Sequence, residues 1–247
     1  MRPDPYAWSV HGEAVLGVAL LVAAYLYGTR RERVSRLRVG AFLAGAALLT
    51  ASAVTPLDAL SFHLLSAHLL QNVVLAEWAP ALVVFGIPSG LAARIASVSP
   101  VRLLTRPPIA LGLWLLTYFV WHLPWVYDTA LRHPWTLLHL EHALYFAAGC
   151  LLWWPVAHDR PHALEDGARA LYLFAAFLFA SPLGLLLALV PSPAYDYYEE
   201  GGSLWGLSPL TDQQIAGVTM AVEQAIVFFA AFSYYLARFL RAQEASA

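Results

Sequence analysis

The chain has 247 residues, 60% of them hydrophobic and 12% charged, with a net charge of -2. This excludes a soluble globular domain and defines an integral membrane protein. All fourteen basic residues are Arg, clustered in a way that carries topology and not nucleic-acid binding. A single cysteine, Cys150, and one internal methionine, Met220, exclude a disulfide framework within the chain, a paired-thiolate site and a thioether-rich copper site.

A membrane-crossing helix needs about 20 mostly apolar residues. Seven stretches meet or nearly meet that length, at 13–28, 39–54, 62–87, 109–127, 135–156, 168–190 and 213–237, with Pro and Gly between them or at their ends. The amino terminus shows no cleavable signal pattern, and the first apolar run is followed at once by an Arg cluster, so it is read as a retained span. The expected fold is therefore all-α, a single transmembrane domain over 1–247 built as a seven-helix bundle. The one long external segment, 191–212, carries Tyr and Trp residues suited to an interfacial belt. It reads either as an ordered flap or partner surface, or as a solvated loop.

Orientation follows from charge. With the amino terminus outside, twelve of the fourteen Arg residues fall on the cytoplasmic side, leaving only Arg2 and Arg132 outside. The positive-inside rule thus places the amino terminus outside and the carboxyl terminus in the cytoplasm.

Five histidines from three segments then gather near the outer face: His63, His68, His122, His139 and His142. An imidazole inside a span is a functional hypothesis that needs a partner. At about 100° per residue His68, Gln71 and Asn72 share one polar face of the third span, while His63 lies at its entrance, roughly 140° away. His68 is expected roughly 10 Å below the start of that helix. In the fifth span the spacing of three places His139 and His142 on one face, within reach of a shared ion. Glu141, between them, points elsewhere and suits an acceptor role toward another helix. His122 closes the fourth span on the same side. In the seventh, Asp212 reads as the cap of its own helix, and Met220 lies two turns below Gln213 on one face. His133, His158 and His162 read as solvated loop residues, and nothing distinguishes the options for His11.

Glu77 and Glu223 lie within spans and should be protonated, paired or facing water. A proton path and a helix-to-helix hydrogen bond both satisfy that requirement.

The order Ser66-Ala-His68-Leu-Leu-Gln71-Asn72, Ala79-Pro80, Gly86-Ile-Pro88, Trp121-His122-Leu-Pro124, His139-Leu-Glu141-His142, Trp153-Trp154-Pro155 and Asp212-Gln213-Gln214 with Gly217 and Met220 resembles the multi-pass CtaG family of bacterial cytochrome c oxidase assembly factors. The likeness covers roughly 40–240. It implies seven spans and a non-enzymatic role in maturing the oxidase, with copper delivery or stabilisation of its copper site. One departure is evident: the family commonly shows His-Met-x-x-His in the third span, where this chain has His68-Leu-Leu-Gln71-Asn72. That shifts weight from this helix to His139 and His142, with His68 or His122 as partners.

The leading expectation is an inner-membrane assembly factor of a bacterium that holds copper near the outer face through His68, His139, His142, His122 and His63. Asp212, Gln213, Met220, Gln71, Asn72 and Glu141 are accessory candidates. Oxidase subunit I, other copper chaperones, membrane lipid and a second copy of the chain are the expected partners. Imidazole also suits zinc or iron. The rival readings are a b-type haem electron-transfer protein and a proton-coupled transporter using Glu77 and Glu223.

Overall fold

The computed structural model describes residues 3–8 and 11–245; Arg2, counted above on the outer side, lies outside them. The described residues are helical with no β-strand. In chain order the helices are α1 (Gly12–Thr29), α2 (Arg36–Val54), α3 (Pro56–Ser61), α4 (Leu65–Val73), α5 (Ala79–Gly86), α6 (Ser89–Ala96), α7 (Ser99–Leu104), α8 (Pro107–Trp121), α9 (Pro124–Arg132), α10 (His139–Ala157), α11 (Asp166–Leu189), α12 (Asp196–Glu200) and α13 (Pro209–Glu244). Two π-turns, Val74–Trp78 and Pro134–Leu138, join α4 to α5 and lead into α10.

Among the described residues five helices are long and apolar enough to cross a membrane: α1, α2, the continuous unit Leu65–Gly86, α11 and α13. The count is six if α8 and α9 are one broken span, because they pass only together and bend by 74° between them. The fourth stretch therefore does not run straight to 127 as expected. Pro124 forces the residue before it out of the helical region, and Leu123 is extended at φ -63° and ψ 127°. α10 has the length of a span, but its first turn holds His139, Glu141 and His142 at the expense of apolarity. Large apolar side chains lie exposed along α11 and α13, among them Leu171, Leu178, Leu185, Val222, Ile226 and Phe229, as hydrocarbon solvent requires.

The third expected span is more broken than its sequence suggests. α3 occupies the residues before it, His63 falls in the turn, and the helix begins at Leu65. His68 thus sits in the first turn of α4 and not two turns down. In mid-span the helix widens into the π-turn Val74–Trp78. Pro80 lacks the N–H that would bond the carbonyl of Ala76, and its ring crowds that same carbonyl. The freed Ala76 oxygen leans toward α10, where a Cβ on Gly149 would lie 2.2 Å from it. Gly149 is therefore the residue that lets α10 approach the distorted turn, and π-turns of this kind frequently mark functional sites.

α11 and α13 pack along their lengths, α4 lies against α13, and α10 packs on α5 and α8. The α11–α13 crossing is close: a Cβ on Gly217 would come within 2.5 Å of backbone atoms of Gly184 and Ala188. The main core gathers Leu69, Trp114, Trp153, Leu173 and Phe228, with the Trp153 and Phe228 rings stacked at 5.8 Å. α1 leans mainly on α2 and buries little else, Tyr25 stacking on Phe42 at 3.8 Å.

The Arg-rich end is tied together by short contacts. Arg38 donates to the Ile87 carbonyl at 2.5 Å, Arg94 pairs with Glu32 at 2.8 Å, Arg238 pairs with Asp166 at 3.0 Å, and Arg169 pairs with Asp159. His158 belongs to this end and corrects the expectation of a solvated loop residue. It is buried, with Nε2 3.0 Å from the Val84 carbonyl of α5. His162 is at the surface, 2.8 Å from the Arg102 carbonyl, and His133 is exposed, 2.9 Å from the Thr129 carbonyl.

Two outcomes follow. A methyl group at Gly149 overpacks the α10 contact, so Gly149→Ala should cost about 1–3 kcal/mol, read as a lower Tm of the detergent-purified protein; an unchanged Tm would show that α10 approaches otherwise. Burial pushes the His158 imidazole down to about 4, against about 6.5 when unfolded. The unfolded chain therefore binds the extra proton first, and stability is lost as pH falls from about 6.5 toward 4. His158→Gln should flatten this loss between pH 7 and pH 5, and wild type and variant tracking each other over that range would contradict it.

Candidate functional site

The end of the bundle opposite the Arg clusters holds most of the buried polar residues. Its organisation starts at the first turn of α4, whose N-cap, Leu64, offers no side-chain acceptor for the orphan N–H groups. Asp212 supplies it from across the bundle. Its carboxylate accepts from Leu65 N at 2.5 Å, Ser66 N at 3.3 Å and Ser66 Oγ at 2.5 Å. Asp212 therefore caps α4 and not its own helix, as sequence reading expected. α13 begins earlier, at Pro209, and is capped by Ser208, whose Oγ accepts from Thr211 N at 3.1 Å.

This cap fixes His68, whose side chain is fully buried. His68 Nδ1 lies 2.9 Å from Tyr198 Oη, and that hydroxyl gives its one hydrogen to the Ser61 carbonyl at 2.6 Å. The Tyr198 oxygen must then accept, so Nδ1 carries the imidazole proton and Nε2 is left as a lone pair. Nε2 points toward Glu141, 3.9 Å from Oε1, and has no hydrogen-bond partner among the described residues. Asn72, one turn along the same face as His68, donates to Glu141 Oε1 at 3.1 Å. Glu141 thus serves as the acceptor for another helix.

His122 stands at the α8–α9 elbow. Its Nδ1 is 2.7 Å from the Tyr118 carbonyl, which can only accept, so this nitrogen too is protonated and Nε2 again carries the lone pair. Tyr145 Oη lies 3.2 Å from the same Nδ1, and Tyr195 Oη donates to the His122 carbonyl at 3.1 Å. The Tyr127 ring packs against both imidazoles, 4.9 Å from His68 and 5.9 Å from His122.

Tyr195 and Tyr198 come from the segment 191–212, which is ordered. Asp128 accepts from Asp196 N at 3.2 Å and Tyr197 N at 3.1 Å, which holds the short α12 over the site, and Arg132 pairs with Glu200 at 3.0 Å beside it. Gln213 anchors the same flap, accepting from Ala194 N at 2.7 Å while donating to the Leu187 and Ser192 carbonyls. The aromatic character of the segment was the available signal. Which of its tyrosines turn inward depends on the fold of α12.

The remaining candidates divide. The His142 ring is 6.2 Å from that of His68, and its Nε2 is buried without a hydrogen-bond partner among the described residues. His139 faces the other way: its Nε2 lies 3.5 Å from Glu13 on α1. Both line a cavity of about 1190 Å³ between α1, α2 and α10, yet they keep different company. His63 turns from the cluster, with Nε2 2.7 Å from the Pro3 carbonyl. Gln71 donates to the Ser52 carbonyl at 2.7 Å and reaches Asp58 at 3.4 Å. Met220 is packed in the apolar core. The structure thus groups His68, His122, His142, Asn72 and Glu141. In that group three imidazole Nε2 atoms, Asn72 Oδ1 and Glu141 Oε2 lack a hydrogen-bond partner among the described residues. Such atoms call for an explanation where polar groups are normally satisfied, and a bound ion or water is one.

Glu77 and Glu223 are both buried where the third span faces α13. Gln224 donates to Glu77 at 3.1 Å and to Tyr118 Oη at 2.9 Å, and the Trp78 indole donates to Glu223. These are helix-to-helix hydrogen bonds, and the π-turn that contains Glu77 and Trp78 turns both toward α13.

Fold and site together define a polytopic helical membrane protein with a buried imidazole–carboxylate centre at one end. A family model for the cytochrome c oxidase caa3 assembly factor (Caa3_CtaG) matches residues 21–242, and the chain belongs to that family. Comparison with curated proteins and with solved structures returns no match.

Asp212→Ala should orphan the Leu65 and Ser66 N–H groups, at about 1–3 kcal/mol for a buried donor. The expected reading is a lower Tm of the purified protein, with Asp212→Asn losing less. Equal Tm values for wild type and the Ala variant would remove Asp212 as the organiser of α4.

Proposed function

We propose that this membrane protein assists assembly of cytochrome c oxidase by holding a copper ion at its buried centre, with His68, His122 and His142 as imidazole ligands and Glu141 as the carboxylate. The observation that carries this reading is a set of buried imidazole Nε2 atoms without a hydrogen-bond partner among the described residues, that of His68 facing Glu141 at 3.9 Å. In two of the three residues the proton is held on Nδ1 by a neighbouring oxygen, the arrangement by which an outer partner fixes a ligating histidine. Asn72 stands where the family commonly has histidine, and its bond to Glu141 orients the carboxylate. Membership of an assembly-factor family supports a non-catalytic role in association with the oxidase.

The finer reading places seven crossings in a bacterial inner membrane, with α8 and α9 as one broken span and α10 as a polar-tipped one. The Arg-rich end then faces the cytoplasm and the centre faces outward. From there the protein would engage oxidase subunit I, and its neutral ligand set suits copper, zinc or iron, with copper favoured by the family.

The test pairs metal analysis with assembly in cells. His68→Ala combined with Glu141→Gln should weaken Cu(I) binding at the buried centre at least tenfold, and lower oxidase activity in membranes where the variant accumulates normally. A wild type that takes up no copper while still supporting oxidase assembly would overturn the metal part of this reading.

A further inference from the structure

A second constellation lies outside the buried centre, at the outer end of α1. His11 Nε2 is 2.9 Å from Asp58 Oδ2, and His11 Nδ1 is 3.6 Å from Glu13 Oε1. His139 Nε2 approaches the same Glu13 oxygen at 3.5 Å. One ligand atom from each of His11, Glu13 and His139 lies within 4.8 Å of the others. Three donors around a tetrahedral ion, each about 2 Å from it, stand about 3.3 Å apart. Two of the three separations here are within a few tenths of an ångström of that value.

The chemistry of the surroundings agrees with the spacing. Asp58 is buried and accepts from His11, which holds the proton on Nε2 and turns the Nδ1 lone pair to Glu13. Gln71 in turn donates to Asp58 at 3.4 Å, so the orienting carboxylate is itself held. This is the carboxylate–histidine pairing that fixes metal ligands. Glu13 and Asp58 bring two negative charges to the cluster. Among the described residues their ion-pair partners are histidines only, so a doubly charged cation balances the group. Glu13 and His139 are half-exposed at the cavity wall, which leaves a fourth position open to water or an exchanging ligand. Trp135 packs its ring against both imidazoles, 6.1 Å from His11 and 5.8 Å from His139.

We propose that His11, Glu13 and His139 form a second, exchangeable site for a divalent first-row transition-metal ion at the mouth of the cavity between α1 and α10. His11 and Glu13 precede the residues matched by the family model, so this site does not follow from family membership, and it does not depend on what the buried centre holds. His142 lines the same cavity and its ring approaches His68. An ion released from the mouth therefore has an imidazole within the cavity that faces the buried group.

Cu²⁺ added to the detergent-purified full chain is the probe, read by titration and by electron paramagnetic resonance. The expected result is a Cu²⁺ signal with two imidazole nitrogens in its equatorial set, separate from copper held at the buried centre. His139→Asn should weaken it at least tenfold and leave one nitrogen, as should His11→Asn, and Glu13→Gln should weaken it comparably. Asp58→Asn should weaken it by about 10- to 100-fold, as outer partners of metal ligands do. His68→Ala should leave this signal unchanged, which separates the site from the buried centre. Glu13 and His139 are partly solvent-exposed, so these variants are expected to keep the wild-type Tm. Cu²⁺ affinity and spectrum unchanged within twofold in His11→Asn and His139→Asn would overturn the proposal. So would loss of the signal in His68→Ala with its retention in His139→Asn.

Discussion

A polar atom in hydrocarbon must find its partner inside the protein, at a cost of several kcal/mol where it fails. Glu141 concentrates that constraint. It is fully buried, takes one hydrogen bond from Asn72 and lies opposite an imidazole nitrogen that its neighbours keep unprotonated. Asp212 capping α4 and Tyr198 bridging His68 to Ser61 set the imidazole that faces it, and the Tyr118 carbonyl fixes His122 in the same way. Much of the local structure is explained as the means of fixing those lone pairs.

The backbone departures serve the same end. Pro80 releases the Ala76 carbonyl, the helix widens, and Gly149 leaves room for it, so α10 is drawn against the third span and carries Glu141 inward. Pro124 breaks the fourth span at the level of His122 and sends α9 across the end of the bundle, where Asp128 holds the flap that delivers Tyr195 and Tyr198. α1 stands apart from this assembly, with a cavity between it and α10. A loosely packed helix at the mouth of a cavity is suited to a region where ions exchange, in contrast to the fully buried centre.

Periodicity made part of this legible. Helical phase put His68, Gln71 and Asn72 on one face, and the same arithmetic turned Glu141 toward another helix, where Asn72 meets it. Apolar runs located the long helices, and residues 21–242 carry the family match that short motifs at 40–240 suggested. What escaped depends on partners distant in sequence. Asp212 reads as a local cap because the helix end it serves is 147 residues away. His139 and His142 share a face of α10, but α1 draws the first toward Glu13 while the second faces His68. His158 sits beside Arg160 in a polar stretch, yet the end of α5 covers it. His11 and Glu13 gave no pattern of their own, since their significance arises only when α10 and Asp58 are brought alongside.

Copper K-edge X-ray absorption of the purified protein loaded with one equivalent of Cu(I) tests the central claim most directly. The account predicts a shell of nitrogen and oxygen only, with imidazole multiple scattering that diminishes in the His68→Ala and Glu141→Gln double variant. A sulfur scatterer, or a spectrum that the double variant leaves unchanged, would contradict it.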